Sequence, residues 1–249
     1  MKWNILEFDE VASTNTLASE MLARGEAKHG DVIQARHQTS GRGRGAGRVW
    51  NDEPGNSLLI SVVLTKIPQP AHLLQYRAAL GVLRAIREIS QELDPEDIQL
   101  KWPNDILIHG KKLSGLLVEA QWNGPAMRSA IIGIGVNVRQ LSFPLELSGI
   151  ATSLHQSGVA ATVRDVRDRV LDALKGEFQN HSDESIVLTR LRSELAWMSQ
   201  LFPLDFISGN GETISGLRLE GLDDSGALLL RHQNGQVETR LTGSLSWNN

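Results

Sequence analysis

The chain has 249 residues, a formal net charge of −4 and no cysteine. The acidic balance argues against a protein that mainly coats nucleic acid or an anionic membrane, and the lack of thiols excludes disulfides, thiolate metal sites and cysteine catalysis. Charges interrupt the first ten residues too early for a signal peptide, and no apolar run reaches the roughly 18 residues that span a bilayer. We therefore expect a cytoplasmic protein without membrane contact.

Helices and strands are predicted to mix over the first 200 residues. Apolar spacing predicts helices over residues 13–24, 71–93, 162–179 and 183–197, the first of them capped by Ser13 or Thr14. Apolar runs predict strands over residues 31–35, 56–64, 98–101, 106–108, 112–120 and 129–138. Beyond Leu201, short strand-like runs alternate with glycine-containing turns at close spacing. The pattern predicts an α+β domain over residues 1–200, followed by a small all-β barrel over residues 201–249.

Arginine alternates with glycine over residues 41–48, which read GRGRGAGR. Glycines let a backbone approach a ligand closely, and guanidinium groups match phosphate and carboxylate oxygens. The segment is not a P-loop, because no Gly-Lys-Ser/Thr follows it, and the sequence WNDEP stands where a dinucleotide-binding helix would have to begin. It indicates a lid over an anionic ligand, a solvated basic turn or a loose RNA-binding segment.

Three further motifs are ambiguous when each is taken alone. Residues 101–105 (KWPND) predict a rigid turn that presents Lys101, an amide and Asp105 close together, although an ordinary turn has the same composition. Lys112 opens a buried strand, with Gly115 leaving space for a ligand, but a surface hairpin also fits. The two glycines before Asn137 suggest close approach of a ligand, and an amide suits the edge of a purine ring. A tight strand crossing is the alternative.

The seven histidines are scattered without ligand spacing, so we assign no transition-metal site and no Ser-His-Asp triad. The motifs, in their order and spacing, resemble the biotin–protein ligase family, which shares its catalytic fold with class II aminoacyl-tRNA synthetases and lipoate ligases. The matching residues extend over nearly the whole chain: Ser13, Thr14, Asn15, Gln38, residues 41–44, Trp50, residues 101–105, 112–115, 133–137 and 226–230. The resemblance implies a mixed sheet with helices, plus a C-terminal SH3-like barrel. The glycine–arginine loop is one residue longer than the commonest family spacing, which leaves the register of Gly47, Arg48 and Trp50 open.

The resemblance also implies an activity: ATP-dependent formation of biotinoyl-5′-AMP, then transfer of biotin to a lysine of a biotin carboxyl carrier protein. Mg²⁺ would be held through the ATP phosphates and not by protein side chains. The residues expected to bind biotin are Ser13, Thr14, Asn15, Gln38, Gly41, Arg42, Lys112 and Gly115, and those expected to bind the nucleotide are Arg44, Trp50, Lys101, Asn104 and Asn137. Arg42, Arg44 and Lys112 would stabilise developing charge, and Asp105 would position the acceptor amine.

Two alternative functions are weighed against this one. A lipoate or octanoate ligase would use the same fold, but the Gly-Arg-Gly-Arg loop followed by KWPND fits the biotin branch better. A nucleic-acid-binding module would use the arginine loop, and the acidic net charge counts against it. Because the motifs begin almost at residue 1, we expect a monofunctional ligase without the N-terminal DNA-binding domain of some relatives, and therefore no DNA contact. A homodimer formed by edge-strand pairing of the central sheet stays possible.

Overall fold

The computed structural model describes residues 1–45, 49–179, 183–197 and 204–246. Four α-helices lie within these ranges: α1 Thr14–Ala23, α2 Leu74–Ile89, α3 Val163–Gln179 and α4 Glu184–Ser193. The strands are β1 Asn4–Val11, β2 Asp31–Gln38, β3 Ser57–Leu64, β4 Ile98–Lys101, β5 Asp105–Ile108, β6 Lys111–Asn123, β7 Ala126–Asn137, β8 Leu204–Ile207, β9 Thr213–Leu222, β10 Leu228–Arg231, β11 Val237–Arg240 and β12 Ser244–Ser246.

The first seven strands form one mixed sheet in the order β1-β2-β3-β7-β6-β5-β4. Strands β1 and β2 are parallel, and the other neighbours are antiparallel. Strand β3 is buried along its whole length because both faces of the sheet are covered there. Val62 belongs to the large core beneath α2 and α3, whereas Val63 belongs to a smaller core beneath α1. Two covered faces explain why β3 reads as a continuous apolar run.

The remaining five strands form an antiparallel sheet in the order β11-β10-β9-β8-β12. Its inward side chains, Phe206 and Leu228 among them, belong to the same hydrophobic core as helix α2. Turns join its strands at the places where the glycine-containing signals predicted them. The fold is thus α+β with a second sheet at the C-terminus; the SH3-like closure of that sheet and the boundary at residue 200 stay predictions.

The strand β1 was missed by the sequence pattern. It lies at the edge of the sheet, and its exposed Glu7, Asp9 and Glu10 break the apolar alternation that marks a half-buried strand. The predicted helix over residues 71–93 is shorter than expected, because a 3₁₀ turn, Ala71–Leu73, precedes α2 and the helix ends at Ile89. The helix predicted over residues 183–197 also ends early, at Ser193. No helix in the described part of the chain is long and apolar enough to cross a membrane.

Candidate active site

Two adjoining pockets bring the predicted site residues together. The first pocket is lined by Ser13, Thr14, Asn15, Gln38, Arg42, Lys112 and Gly115, among others. The second, with a volume of about 600 Å³, is lined by Lys101, Asp105, Asn137 and residues of the C-terminal sheet. Arg44, Trp50, Asn104 and Lys112 line both pockets. Except for Gly41, which lines neither pocket, the predicted biotin-binding residues line the first pocket and the predicted nucleotide-binding residues line the second, and the two meet at these shared side chains.

The floor of the first pocket is built where α1 begins against β2. The backbone N–H of Thr14 donates to Gln38 Oε1 at 2.8 Å, which fixes the orientation of the amide, because a backbone N–H can only donate. The Nε2 donor of Gln38 therefore faces away from Thr14, and it would lie 3.0 Å from a Cβ atom at Gly41. Ser13 stands at the N-cap position, but it makes no side-chain capping bond. The N-terminus of α1 adds a partial positive charge that suits an anion.

Asn15 is held in place by three partners on two strands. Its Oδ1 accepts from Ser61 on β3, and its Nδ2 donates to Glu119 Oε2 at 2.7 Å and to the Leu117 carbonyl at 3.4 Å on β6. Gly133 on β7 leaves the space that the amide occupies, since a Cβ there would lie 3.0 Å from Asn15 Cγ. These bonds make Asn15 a brace of the pocket floor; its direct contact with biotin stays a prediction.

Lys112 and Asp105 form an ion pair between the two pockets. Lys112 Nζ lies 2.8 Å from Asp105 Oδ1, and the Asp105 side chain is 13% exposed. In the sheet, Asp105 stands opposite Gly115. The lysine side chain crosses over Gly115, where a Cβ would lie only 3.0 Å from Lys112 Cε. Glycine at this position therefore lets Lys112 reach Asp105.

Lys101 stands opposite Asp105 in the β4–β5 register, as expected, while the carboxylate forms its ion pair with Lys112. Lys101 Nζ instead lies 5.7 Å from the ring centroid of Trp197, at the wall of the second pocket. Asn104 also has a structural role, because its Nδ2 donates to the Leu116 carbonyl. Both residues line the second pocket, so their contact with a nucleotide stays a prediction.

The described residues Arg42, Gly43 and Arg44 of the glycine–arginine loop line the pockets, together with Trp50. Trp50 N donates to the Gly41 carbonyl at 3.0 Å, and the indole lies against β7, where a Cβ at Gly135 would come within 2.7 Å of the ring. Arg42 Nη2 donates to Glu119 Oε2 at 3.0 Å. Arg44 donates to the Gly243 carbonyl of the C-terminal sheet and lies over the Trp102 ring. Residues 46–48, including Gly47 and Arg48, whose register the longer loop leaves open, fall outside the described residues.

In the second pocket, the side-chain oxygen of Asn137 can accept a hydrogen bond from a ligand. Asn137 Nδ2 donates to the Thr152 carbonyl at 2.9 Å, whereas its buried Oδ1 has no partner among the described residues. A buried amide oxygen without a partner is costly, and a ligand N–H such as the amino group of adenine would satisfy it. Opposite Asn137, the C-terminal sheet contributes Ser246 and Leu245 to the wall.

The donors in the pockets suit a polyphosphate better than a metal ion held by the protein. Among the residues described by the structure, no group of three His, Asp or Glu side chains could hold a metal ion. Lys112 and Arg44 give the shared region positive charge, and its Asp105 carboxylate is already paired. Such a site matches triphosphate oxygens that bring Mg²⁺ with them; the metal itself stays a prediction.

Three residues of the site were missed by sequence reasoning: Ser61, Glu119 and Trp197. Ser61 is the lone hydroxyl in the middle of a buried strand, and an unexplained buried polar residue is a usable signal. Glu119 follows the apolar run of β6, where a charge usually marks only the return to solvent. Trp197 is the final residue of the last predicted helix and carries no motif.

Comparison with known proteins agrees with this geometry. Residues 7–137 match the model of the biotin/lipoate A/B protein ligase family. The chain is 35% identical to the bifunctional ligase/repressor BirA of Bacillus spizizenii, over 94% of this chain and 71% of that protein. It is 32% identical to the biotin–[acetyl-CoA-carboxylase] ligase of Mycobacterium tuberculosis, over 90% of this chain and 83% of the relative.

Among solved structures, the biotin protein ligase of Aquifex aeolicus in complex with biotin and ATP superposes with a TM-score of 0.78 at 28% identity. The match covers 98% of this chain and 97% of that one. The family model extends over all residues that line the first pocket and over those that line the second pocket up to Asn137. The chain therefore belongs to the biotin–protein ligases of the biotin/lipoate A/B protein ligase family.

Proposed function

We propose that this protein is an ATP-dependent biotin–protein ligase that forms biotinoyl-5′-AMP and transfers biotin to a lysine of a biotin carboxyl carrier protein. The observation that carries the proposal is the meeting of two pockets at Lys112. One pocket has the amide and hydroxyl donors that suit the ureido end of biotin, and the other has room for a nucleotide. The names of the relatives, which include biotin–[acetyl-CoA-carboxylase] ligases, support the acceptor.

In the first step, a carboxylate oxygen of biotin attacks the α-phosphorus of ATP and the bond to pyrophosphate breaks. Two anions must approach each other, so the site has to supply positive charge where they meet. Lys112 lies where the pockets join, and Arg42 and Arg44 lie on the loop above it. Mg²⁺ bound to the triphosphate would neutralise part of its charge. No protein nucleophile is needed, because positioning and electrostatics suffice.

In the second step, the neutral amine of the acceptor lysine attacks the carbonyl carbon of the adenylate, and AMP leaves. An ordinary lysine has a pKa of about 10.4, so its proton must be lost before attack. Asp105 is mostly buried beside Lys112 and can accept a hydrogen bond from the incoming amine. The loop carrying Arg42 and Trp50 would keep water from the mixed anhydride.

We propose a homodimer that pairs the free edge of β6. Strand β5 pairs only with residues 111–115 of β6, which leaves residues 118–123 without an outer neighbour in the described part of the sheet. The edge of β1 carries three exposed carboxylates that repel a second copy, and residues 194–196 cover the edge of β4. Sedimentation velocity of the wild type and of Ala120→Pro tests this pairing: a dimer that survives the proline substitution would refute it.

For the C-terminal sheet, we propose that residues 201–249 are the SH3-like domain of the family. The five antiparallel strands and the close spacing of their turns support this reading. Its residues Ser246 and Leu245 line the second pocket, so this domain would complete the nucleotide site. Deletion of residues 201–249 should then abolish ATP binding; a truncated chain that folds and binds ATP as the full chain does would contradict it.

The test of the proposed activity is biotin-dependent exchange of pyrophosphate into ATP, with lipoate and octanoate assayed alongside. We expect exchange with biotin only, and a loss of about 10² to 10³ in rate for Lys112→Gln, as is typical when one charge-stabilising donor is removed. Exchange with lipoate would keep the chemistry and change the substrate. No exchange with any of the acids, from folded protein, would refute the proposal.

A further inference from the structure

Glu119 joins two residues of the biotin pocket although it does not line the pocket itself. Its Oε2 atom accepts from Asn15 Nδ2 at 2.7 Å and from Arg42 Nη2 at 3.0 Å. Asn15 belongs to the rigid floor, and Arg42 belongs to the loop above it. One carboxylate oxygen on β6 therefore connects the floor of the pocket to its lid.

Asn15, which belongs to the pocket floor, is held firmly at its end of this connection. The Leu117 carbonyl can only accept a hydrogen bond, so the amide turns its Nδ2 towards β6 and Glu119 and its Oδ1 towards Ser61. Asn15 is 3% exposed, which leaves its side chain little freedom. Glu119 is thus held at a defined place next to the pocket, unlike a surface carboxylate on a free side chain.

On the loop side, Glu119 is the one acidic partner of Arg42 among the residues that the structure describes. A guanidinium carries five N–H donors, so a bond through Nη2 leaves others to face a ligand. The Arg42 side chain is 47% exposed and that of Glu119 is 37% exposed, and a pair this accessible adds little to global stability. Its effect is to restrict where the guanidinium lies.

We propose that Glu119 is a positioning residue that ties Arg42 to Asn15 and so sets the guanidinium at the carboxylate of biotin. This inference rests on the proposed function, because it takes biotin as the ligand. A positioning role and a purely electrostatic role for Glu119 predict opposite changes in the KM for biotin when the carboxylate is removed. A carboxylate acting only through its charge would repel the carboxylate of biotin, and its removal would lower the KM for biotin. If Glu119 positions Arg42, its removal would instead raise the KM for biotin.

The first experiment measures how strongly Glu119 restrains Arg42 and needs no assay of enzyme activity. Trypsin cleavage after Arg42 is followed in ligand-free wild type, Glu119→Gln and the control Glu20→Gln, which removes the acceptor of the exposed Glu20–Arg24 pair. We expect cleavage after Arg42 to rise at least about threefold in Glu119→Gln and to stay unchanged in the control, since local opening governs proteolysis. Equal rates in all three proteins would overturn the proposal, whether or not the protein ligates biotin.

The second experiment measures kinetics by pyrophosphate exchange. Glu119→Gln keeps an amide oxygen that can accept from Asn15 but loses the charge that holds Arg42. We expect the KM for biotin to rise about tenfold with a smaller fall in kcat, since Arg42 also supplies charge in the first step, and Glu119→Asp, which is one methylene too short, to do the same. In an Arg42→Ala background, Glu119→Gln should add nothing.

The outcomes separate the two proposals. A lower KM in Glu119→Gln, or an equal effect with and without Arg42, would overturn the tether while biotin ligation stands. If the wild type shows no exchange at all, the proposed function fails, and the proteolysis result still decides whether Glu119 restrains Arg42. Thermal unfolding of each variant confirms that it is folded before either assay is read.

Discussion

The hydroxyl of Tyr76 donates a 2.7 Å hydrogen bond to the carbonyl of Gly226, joining helix α2 to the turn between β9 and β10. Trp102 Nε1 donates to the same hydroxyl at 3.2 Å and to the same carbonyl at 3.3 Å. Gly226 has a φ of +81°, and a Cβ there would lie 2.5 Å from the Tyr76 ring. Because Trp102 begins the turn that leads to Asn104 and Asp105, the C-terminal sheet helps to fix the turn whose Asp105 is predicted to act in the second step.

Removal of this hydroxyl should weaken the joint between the two sheets. Burial raises the pKa of Tyr76 against the opposing effect of the Trp102 hydrogen bond, so the hydroxyl stays a donor at neutral pH. We expect Tyr76→Phe to lower the free energy of unfolding by about 1–2 kcal/mol, and Tm by about 2–4 °C for each kcal/mol. Calorimetry checks this against Ser193→Ala, which removes an exposed hydroxyl bonded within its own helix. Equal melting temperatures in both variants would contradict the role of the joint.

Gly133→Ala tests the floor of the first pocket. A Cβ at this position would lie 3.0 Å from Asn15 Cγ and closer still to its Oδ1, so the amide must leave Ser61 and Glu119. We expect the KM for biotin to rise at least about tenfold and the free energy of unfolding to fall by about 1–3 kcal/mol, as buried polar groups lose their partners. Gly209→Ala, in a turn where the nearest atom lies 3.9 Å away, serves as the control. A normal KM in Gly133→Ala would show that Asn15 does not brace the biotin site.

The central fold could be predicted because its strands carry strong local signals. The buried runs of β3 and β7 and the apolar stripe of α2 each need nothing outside the segment to be recognised. The edge strand β1 lacks such a signal, since its burial depends on one neighbour. The Lys112–Asp105 pair could not be predicted either, because it depends on the register of the sheet. Gly115 stands opposite Asp105, and the Lys112 side chain passes over this glycine to the carboxylate.

The resemblance to a family located residues that line the two pockets, whose motifs are short and local. It located Asn15 but not its partners Ser61 and Glu119. Asn15 and Glu119 are separated by 104 positions, and the order of strands in the sheet brings them together. The sequence around Glu119, a single glutamate after an apolar run, does not indicate that Asn15 is its partner. Long-range hydrogen bonds of this kind follow from topology, which no local pattern contains.

Asp105→Asn should separate the two half-reactions. The amide keeps the shape of the side chain but loses the charge that pairs with Lys112 and the ability to accept strongly from an amine. We expect pyrophosphate exchange to stay within about threefold of wild type, and single-turnover transfer to the carrier protein to fall by about 10² to 10³. Asp97→Asn, at an exposed carboxylate next to His109, is the control. Full transfer by Asp105→Asn with normal exchange would remove Asp105 from the second step.

Stability should fall on the acid side because of His29. Burial, reinforced by the nearby charge of Lys66, lowers the pKa of His29, and its Nδ1 accepts from the backbone N–H groups of Thr65 and Lys66 at 3.3 Å. In the unfolded chain the pKa is about 6.5. Between the lowered folded value and about 6.5, the unfolded state binds more protons, so stability rises with pH through this window and is lost as pH falls through it.

We therefore expect Tm to decrease as the pH is lowered below about 6.5, and His29→Asn to reduce that decrease. The asparagine oxygen can accept from the same backbone groups without titrating, so the folded geometry is kept while the linked proton is removed. His72→Asn, at an exposed histidine outside this contact, is measured alongside for comparison. If His29→Asn and the wild type lose Tm in parallel, protonation of His29 does not govern the acid-side loss of stability.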